Sequence, residues 1–180
     1  MSTLVTQRLL LVLSQPSDCR DFIELERDAE VMRFLHGAAV DHETVRPQDV
    51  AFLMPRGTEP YVWTARRRHD AAFVGWFCLY PETPDLAELG YRLQRKSWGQ
   101  GLATEGAAAL VDRGFQEVGY ETIFASTMAA NLGSRRVMEK LGMTLVGTDY
   151  PVFDDPIPGA EKGEARYELQ RRDWVRQKQL

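Results

Sequence analysis

Residues 93–107 read LQRKSWGQGLATEGA and join a strand-like run, residues 86–93, to a long helical pattern. Gly99 and Gly101, separated by one residue, stand at the junction. Glycine adopts positive φ at little cost, so this pair lets the backbone turn sharply and expose successive N–H groups. The first N–H groups of a helix have no partner within it, and the helix dipole adds partial positive charge there. The stretch therefore predicts a cradle for an anion, most naturally a phosphate or pyrophosphate.

The turn lacks the marks of two common phosphate-binding motifs. It has no Gly-Lys-Ser/Thr, which disfavours a P-loop NTPase. It also has no G-x-G-x-x-G with an acidic residue about twenty positions further on, which disfavours a dinucleotide fold. A Gly-x-Gly turn before a helix is also typical of an ordinary strand-to-helix connection. The remaining chain therefore decides between the two interpretations.

The composition is that of a soluble globular chain, because 44% of its 180 residues are hydrophobic and 27% are charged. This length suits one domain spanning residues 1–180. A net charge of -4 argues against a nucleic-acid-binding protein. No apolar run is long enough to span a membrane, and no signal peptide precedes the first strand pattern. We therefore predict a cytoplasmic protein that binds neither nucleic acid nor a membrane.

The cysteines and histidines give no sign of a disulfide framework or a metal site. Cys19 and Cys78 are isolated, and His36, His42 and His69 are scattered without the spacing of metal ligands. We therefore predict no metal.

Hydrophobic periodicity predicts about seven strands and several helices. Strands are expected at residues 6–13, 61–66, 72–79, 86–93 and 122–127, with a turn at 81–85, and at two positions within 144–170 on either side of a Pro- and Gly-rich excursion at 151–163. Short helices are expected around residues 17–25, from 31 to 37 and from about 45 to 53, and longer ones after the glycine turn and after Asn131. Small residues on the apolar face of the first long helix predict its close approach to the sheet, and Val137, Met138 and Leu141 form the buried stripe of the second. The strands that flank the helix after the turn are expected to be parallel, with a right-handed crossover. The acidic residues of the early helices, including Glu24, Glu26, Asp28 and Glu30, are expected to face water. The alternative is that they form an acidic lip that attracts an amine.

The loop Trp98-Gly99-Gln100-Gly101-Leu102-Ala103 resembles the coenzyme A pyrophosphate loop of the GNAT superfamily of N-acetyltransferases, Gln/Arg-x-x-Gly-x-Gly/Ala. The first position departs from the family pattern, because Trp98 stands where Gln or Arg is usual. In this feature the loop is similar to the branch of ribosomal-protein N-terminal acetyltransferases and related antibiotic acetyltransferases. There Trp-Gly-x-Gly-x-Ala-Thr-Glu is common.

A second segment, NLGSRRVMEKLGM at residues 131–143, has the features of a capped helix, with Asn131 as N-cap and Gly142 at its end. It also resembles the Asn-x-x-Ser/Ala... Lys-Leu-Gly-Phe segment that follows the fifth strand in GNAT proteins. The two resemblances occur in the family's order, separated by one helix and one strand. With the start at Thr6 and the ending at residues 169–174, they cover most of the chain.

The resemblance implies an α/β (α+β) GNAT fold: a central mixed, mostly antiparallel sheet of about seven strands, splayed at its middle and flanked by helices. It implies an N-acetyltransferase, an acyltransferase that moves an acetyl group from acetyl-CoA to a primary amine by direct transfer in a ternary complex. The acceptor would be a protein N-terminus or a small amine, such as a polyamine-like metabolite or an amino sugar. A homodimer is expected by analogy with the branch. A non-catalytic acyl-CoA-binding or regulatory module of the same fold is the alternative.

The resemblance also implies a set of coenzyme A contacts. Backbone N–H groups of the loop would hold the pyrophosphate, and Leu93 would offer its N–H to the thioester carbonyl. Asn131 would contact the pantetheine arm or order its loop. The implied cofactor-binding set is Leu93, Trp98, Gly99, Gln100, Gly101, Leu102, Ala103, Thr104, Asn131, Ser134 and Arg136, with Arg95, Lys96 and Arg135 as further candidates for outer phosphate contacts.

Acetyl transfer needs a polarised carbonyl, an amine that has lost its proton and a stabilised thiolate. Glu88 matches a base proposed in some members of the branch, although an ordinary strand-face carboxylate fits its position equally. Glu105 is a second candidate base, but its place in the first helical turn favours pairing with the helix dipole or a cation. Ser134 matches a Ser proposed to interact with the leaving sulfur, unless it only bonds to backbone. Met138 stands where many GNAT enzymes have an acid-donating Tyr.

Overall fold

The structure, a computed structural model, describes residues 3–44, 60–152, 154 and 156–179. These residues contain an eight-stranded mixed sheet whose strand order is β1-β2-β3-β4-β5-β6-β8-β7. The strands are β1 (Leu4–Val5), β2 (Leu9–Leu13), β3 (Val62–Arg67), β4 (Phe73–Thr83), β5 (Leu86–Leu93), β6 (Thr122–Met128), β7 (Thr144–Asp149) and β8 (Glu164–Gln170).

Five α-helices flank the sheet in the described part of the chain. They are α1 (Cys19–Glu26), α2 (Ala29–Met32), α3 (Leu102–Arg113), α4 (Leu132–Lys140) and α5 (Arg171–Gln177). A π-helical turn, Gly114–Val118, extends α3 and ends at Gly119, whose φ of 91° is left-handed. Among the residues that the structure describes, no helix combines the length and apolar character that crossing a bilayer requires.

The sheet is antiparallel except between β5 and β6, which pair in parallel as predicted. Their register covers only the start of each strand and ends at Glu88 opposite Phe124. Both strands continue beyond this pair, so the sheet opens into a gap that we call the splay. The mixed, mostly antiparallel and splayed sheet is therefore confirmed. The crossover from β5 to β6 runs through α3, which packs on β5 and β4.

Several predicted boundaries were wrong. The strand expected at residues 6–13 begins only at Leu9, because Thr6 donates its N–H to Leu9 O at 2.9 Å and closes a turn. A separate short strand, β1, lies before the expected range and gives eight strands rather than about seven. The turn expected at 81–85 begins later, since β4 runs through Pro81 to Thr83 with a register shift there. The second helix ends at Met32, and turns lead on to Gly37. The helix expected at about 45–53 lies outside the described residues.

Small residues let α3 lie close to the sheet. A Cβ added to Gly106 would stand 2.3 Å from the Phe77 ring of β4, so the helix axis occupies a position that only glycine permits there. Ala107 and Leu110 continue the buried face of α3. The start of α3 is thereby fixed against β4 and β5, as the small residues of the sequence predict.

The expectation that the acids of the early helices face water was wrong for Glu26. Its side chain is fully buried, and its carboxylate pairs with Arg92 of β5 at 2.5 Å. The Nε2 atom of His42 lies 3.0 Å from the second carboxylate oxygen, and the Arg92 guanidinium lies over the Trp76 ring. An ion pair at this depth is stable only with its partner charge in place. Glu26 therefore anchors α1 to one face of the sheet instead of facing solvent.

Candidate active site

The predicted glycine turn is present between β5 and α3. Gly99 has φ 71° and Gly101 has φ 76°, both in the left-handed region. Within the part of the chain that the structure describes, a Cβ would meet nothing within 4 Å at Gly99 and only the Arg8 guanidinium, at 3.5 Å, at Gly101. Glycine is thus required at these positions by the backbone conformation and not by lack of space.

The turn ends in an α3 N-terminus that no side chain of the described residues caps. The N–H groups of Leu102, Ala103 and Thr104 lie in the first helical turn, where no carbonyl of the same helix can accept them. Side chains of the loop bond to the loop's own backbone: Trp98 Nε1 donates to Leu93 O at 2.8 Å, and Gln100 Nε2 donates to Lys96 O at 2.7 Å. The Trp98 N–H donates to Arg95 O at 3.0 Å and is used within the loop. The loop is therefore held in shape, while the amides from Gly99 to Thr104 are available to an anion.

Glu105, at the start of α3, binds the turn between β1 and β2. Its carboxylate accepts hydrogen bonds from the Thr6 hydroxyl, the Arg8 backbone N–H at 2.7 Å and Arg8 Nε at 2.6 Å. Arg8 also donates to Gln100 O at 2.8 Å. Burial alone would raise the pKa of Glu105, but the hydrogen bonds from Thr6 and Arg8 lower it. The hydrogen bonds from Thr6 and Arg8 thus give the Glu105 carboxylate a structural role, as its position predicts.

Replacing Glu105 with Ala is expected to lower the free energy of unfolding by about 2 kcal/mol, because hydrogen bonds to a charged group are worth about 1.5–3 kcal/mol. Urea unfolding at neutral pH measures the loss. Because the folded-state pKa of Glu105 is lowered, its contribution is present above the unfolded pKa and disappears as pH falls through the folded value. The difference between variant and wild type should therefore shrink in acid. Glu117→Ala, which breaks an exposed pair with Arg113, is the control and should cost less than about 1 kcal/mol.

Two backbone amides of β5 face the splay. Gln94 donates its N–H to Val74 O of β4 at 2.9 Å. Neighbouring residues of a strand direct their N–H groups to opposite edges, so the N–H groups of Leu93 and Tyr91 point towards β6. Both lie beyond the last β5–β6 pair, at Glu88. The Leu93 side chain is buried in the core, and its carbonyl is held by Trp98, so only its amide is offered to a ligand.

Glu88 lies on the opposite face of β5 from Tyr91 and Leu93 and forms the last pair with β6. It is half-buried. Burial raises the pKa of this carboxyl, the negative charges of Glu82 and Glu164 raise it further, and the positive charge of Arg166 lowers it. A carboxyl with a raised pKa is better matched to accept a proton near neutral pH than an ordinary surface glutamate.

At the start of α4, Asn131 is the N-cap, and its Oδ1 accepts the Ser134 N–H at 3.1 Å. Capping uses the carbonyl oxygen and leaves the NH2 group of the side chain outside the cap. The Ser134 hydroxyl lies 3.0 Å from the phenol oxygen of Tyr91. Met138, one turn further on, is only 2% exposed and belongs to the buried stripe, as predicted. The hydroxyl of Ser134 thus contacts another side chain near the splay.

Nothing in the sequence pattern singles out Tyr91, which reads as one more residue of a strand. Alternation along β5 puts it on the face opposite Glu88, and only the packing of α4 on the sheet brings it to Ser134.

The arginine candidates for phosphate contacts differ in their surroundings. Arg135 donates to Tyr167 Oη at 3.0 Å and to Ala129 O at 3.2 Å, so it holds α4 against the sheet. Arg95 is exposed and lies 3.5 Å from Asp28, whereas Arg136 is exposed on α4. Of the two arginines on α4, Arg135 therefore holds the helix, and Arg136 is the more exposed residue.

Comparison with known proteins identifies the family. The model of the acetyltransferase (GNAT) domain matches residues 8–144. The chain is 37% identical to the FsC-acetyl coenzyme A-N(2)-transacetylase of Aspergillus fumigatus, over 97% of this chain and 78% of that protein.

Solved structures share the fold. The chain superposes on a GNAT-family acetyltransferase from Bacillus anthracis with a TM-score of 0.80 at 23% identity, covering 95% of this chain and 99% of the other. It superposes on spermidine N-acetyltransferase from Vibrio cholerae, solved with CoA and spermine, with a TM-score of 0.73 at 14% identity, covering 93% and 98%. Since the family model spans most of the chain and the Aspergillus protein is a close relative, the chain is an acyltransferase that belongs to the GNAT acetyltransferase family.

Proposed function

We propose that this enzyme transfers an acetyl group from acetyl-CoA to a primary amine by direct reaction in a ternary complex. The observation that carries this proposal is the convergence of two features on the splay: the uncapped start of α3 behind Gly99 and Gly101, and the unpaired amides of β5 beyond Glu88. The first suits a pyrophosphate and the second an extended chain that ends in a carbonyl.

The residues of the splay fit coenzyme A in a consistent order. The amides of residues 99–104 and the Thr104 hydroxyl hold the pyrophosphate, with Arg136 reaching a further phosphate. Asn131 lies where its NH2 group meets the pantetheine arm. Bound acetyl-CoA supplies the acetyl thioester, and the protein contributes the amide that polarises its carbonyl. We assign that amide to Leu93. The amide of Tyr91, which lies nearer to Glu88, is the alternative.

Distance along the strand decides how Glu88 acts. A strand rises about 3.3 Å per residue, so Leu93 lies about 16 Å and Tyr91 about 10 Å from Glu88. Hydrogen-bond reach is about 2.6–3.2 Å, directly or through one water. One water does not span these distances, so we assign Glu88 as a base that takes the amine proton through a chain of waters.

The charges around Glu88 support an amine acceptor. Glu82, Glu88 and Glu164 interact electrostatically, with Arg166 as the opposing charge. A cationic amine is attracted to such a site and is then deprotonated in it. The Aspergillus relative is named for transfer to an N(2) nitrogen, and the Vibrio neighbour is named for the polyamine spermidine. Both names support a nitrogen acceptor of the kind proposed.

The loop sequence and the chain length support finer proposals on the branch of the family and the domain organisation. The Trp-Gly-x-Gly-x-Ala-Thr-Glu sequence supports a position near the ribosomal-protein N-terminal acetyltransferase branch. We also propose that residues 1–180 form one domain and that the enzyme works in the cytoplasm, with a homodimer as the assembly to test by light scattering.

The rate should depend on the charges that surround Glu88. Because a base acts when deprotonated, kcat rises with pH through the pKa of Glu88, and its raised pKa puts that rise at higher pH than for an ordinary Glu. Glu82→Gln removes a negative neighbour and should move the rise to lower pH, whereas Arg166→Gln removes the positive one and should move it to higher pH. Profiles of kcat at saturating substrates measure both. Shifts in the same direction for the two variants would contradict the assignment.

Thiol release from acetyl-CoA with a panel of amines tests the function. The panel contains peptides with free N-termini, α-amino acid derivatives, spermidine and an amino sugar. Release with one of these classes, and none without an amine, is the expected result. Tight CoA binding by calorimetry without release for any amine would instead indicate the acyl-CoA-binding module.

A further inference from the structure

Two hydroxyl groups meet where α4 packs on β5 beside the splay. The phenol oxygen of Tyr91 lies 3.0 Å from Ser134 Oγ and 3.1 Å from Ser134 O. The Tyr91 ring packs against Phe77 with ring centroids 6.2 Å apart, and the N-cap bond from Asn131 fixes the Ser134 backbone. The position of the Ser134 hydroxyl is therefore set by a residue of another element.

The protons of this pair allow two arrangements. A phenol and a serine hydroxyl carry one donor each and can both accept. In the first arrangement Tyr91 donates to Ser134 O, and Ser134 donates to Tyr91. In the second, Tyr91 donates to Ser134 Oγ, and the Ser134 proton is directed away from Tyr91. Only the second arrangement gives the splay a hydrogen-bond donor.

We propose that Tyr91 is a positioning residue that holds Ser134 as a hydrogen-bond donor to the sulfur that leaves during acetyl transfer, an inference that rests on the proposed function. The amine nitrogen bonds to the acetyl carbon, the carbon–sulfur bond breaks and its electron pair stays on sulfur. The thiolate accepts the Ser134 proton in a hydrogen bond, and Ser134 Oγ accepts from Tyr91. The proton lost by the amine passes to Glu88 and then to solvent.

The two hydroxyls act as donors and keep their protons. Burial raises the pKa of Tyr91, and the hydrogen bond with Ser134 offsets this only in part, so the resulting pKa is about 12. A thiol has a pKa of about 8.5, so proton transfer from this phenol to a thiolate is unfavourable by roughly three orders of magnitude. Met138, on the same face of α4 one turn on, is buried and offers no donor. The chain therefore stabilises the leaving group by hydrogen bonds and needs no acid at that position.

A double-mutant cycle tests the positioning role. Tyr91→Phe keeps the ring and removes the hydroxyl, and Ser134→Ala removes the donor. Each should lower kcat about tenfold, since a charge-assisted hydrogen bond is lost, with KM for acetyl-CoA within about twofold. The double variant should be no slower than Ser134→Ala alone. Tyr120→Phe, a buried tyrosine at the start of β6, is the matched control and should keep the wild-type rate.

Binding gives a readout that does not need turnover. At a pH above the thiol pKa, Tyr91→Phe should weaken CoA about fivefold and leave desulfo-CoA unchanged, as measured by calorimetry. Equal weakening of both ligands would mean a structural role and overturn the inference, as would a wild-type kcat in Tyr91→Phe or multiplied losses in the double variant. A wild-type enzyme that releases no thiol with any amine would instead overturn the proposed function, and the binding comparison would still decide the role of Tyr91.

Discussion

Glu88→Gln is expected to lower kcat for the preferred amine by roughly 100- to 1,000-fold, because general base catalysis contributes about 10²–10⁴-fold. Glutamine keeps the size of the side chain at the last β5–β6 pair and removes its capacity to take a proton. KM for acetyl-CoA should stay within about twofold, since the Glu88 side chain lies on the face of β5 opposite Tyr91 and Leu93 and about 10 Å or more along the strand from their amides. Steady-state kinetics at saturating acetyl-CoA separate the two parameters.

The pH profile gives the sharper form of this test. The rise in kcat that follows deprotonation of Glu88 should disappear in Glu88→Gln, and the remaining rate should follow the free amine alone. Glu121→Gln, an exposed carboxylate paired with Arg171 at the start of β6, is the control and should leave the profile unchanged. A full rate for Glu88→Gln across the pH range would show that water removes the proton without this carboxylate.

The parts of the site that were predictable from the sequence are those that local chemistry determines. Positive φ at Gly99 and Gly101 follows from residue type, and β5 has the predicted bounds, residues 86–93. The Asn131 cap follows likewise, because a cap needs only its own helix. Each of these features depends on neighbours within a few residues.

The parts that were not predictable depend on contacts between distant residues. Tyr91 and Ser134 are 43 positions apart, and Thr6 and Glu105 are 99 apart, so no periodicity within one element reports either contact. Glu26 looked like a solvent-facing acid because its buried partner, Arg92, belongs to another element. Tertiary packing overrides local patterns in these cases.

The boundary errors have local physical causes too. Proline at position 81 was interpreted as the start of a turn, but a strand accepts proline at a bulge, where the register shifts. The first strand was expected to begin at Thr6 because residues 6–13 are mostly apolar. Hydrogen bonds of Thr6 to Leu9 close a turn inside it, and Glu105 stabilises that turn from another element.

Gly75→Ala is expected to lower the free energy of unfolding by about 4 kcal/mol, since overpacking against rigid neighbours costs about 1–3 kcal/mol or more and an unfavourable φ adds to it. Gly75 pairs with Leu93 across β4 and β5 at φ 154°. An added Cβ would stand 2.1 Å from Arg92 O and 2.7 Å from Leu93 Cα. Both are backbone atoms, so neither moves without distorting β5. Urea unfolding and the melting temperature measure the loss, which corresponds to roughly 8–16 °C for a chain of this size.

Gly147→Ala in β7 is the matched control, because no atom of the described residues lies within 4 Å of its added Cβ, and its stability should change by less than about 0.5 kcal/mol. The comparison also tests the site. The backbone that Gly75→Ala displaces carries the Leu93 amide, so the folded fraction of the variant should have a lower kcat even where it is fully folded. Normal turnover per folded molecule would show that the Leu93 amide does not polarise the thioester, and would favour the amide of Tyr91, which lies two residues from the clash.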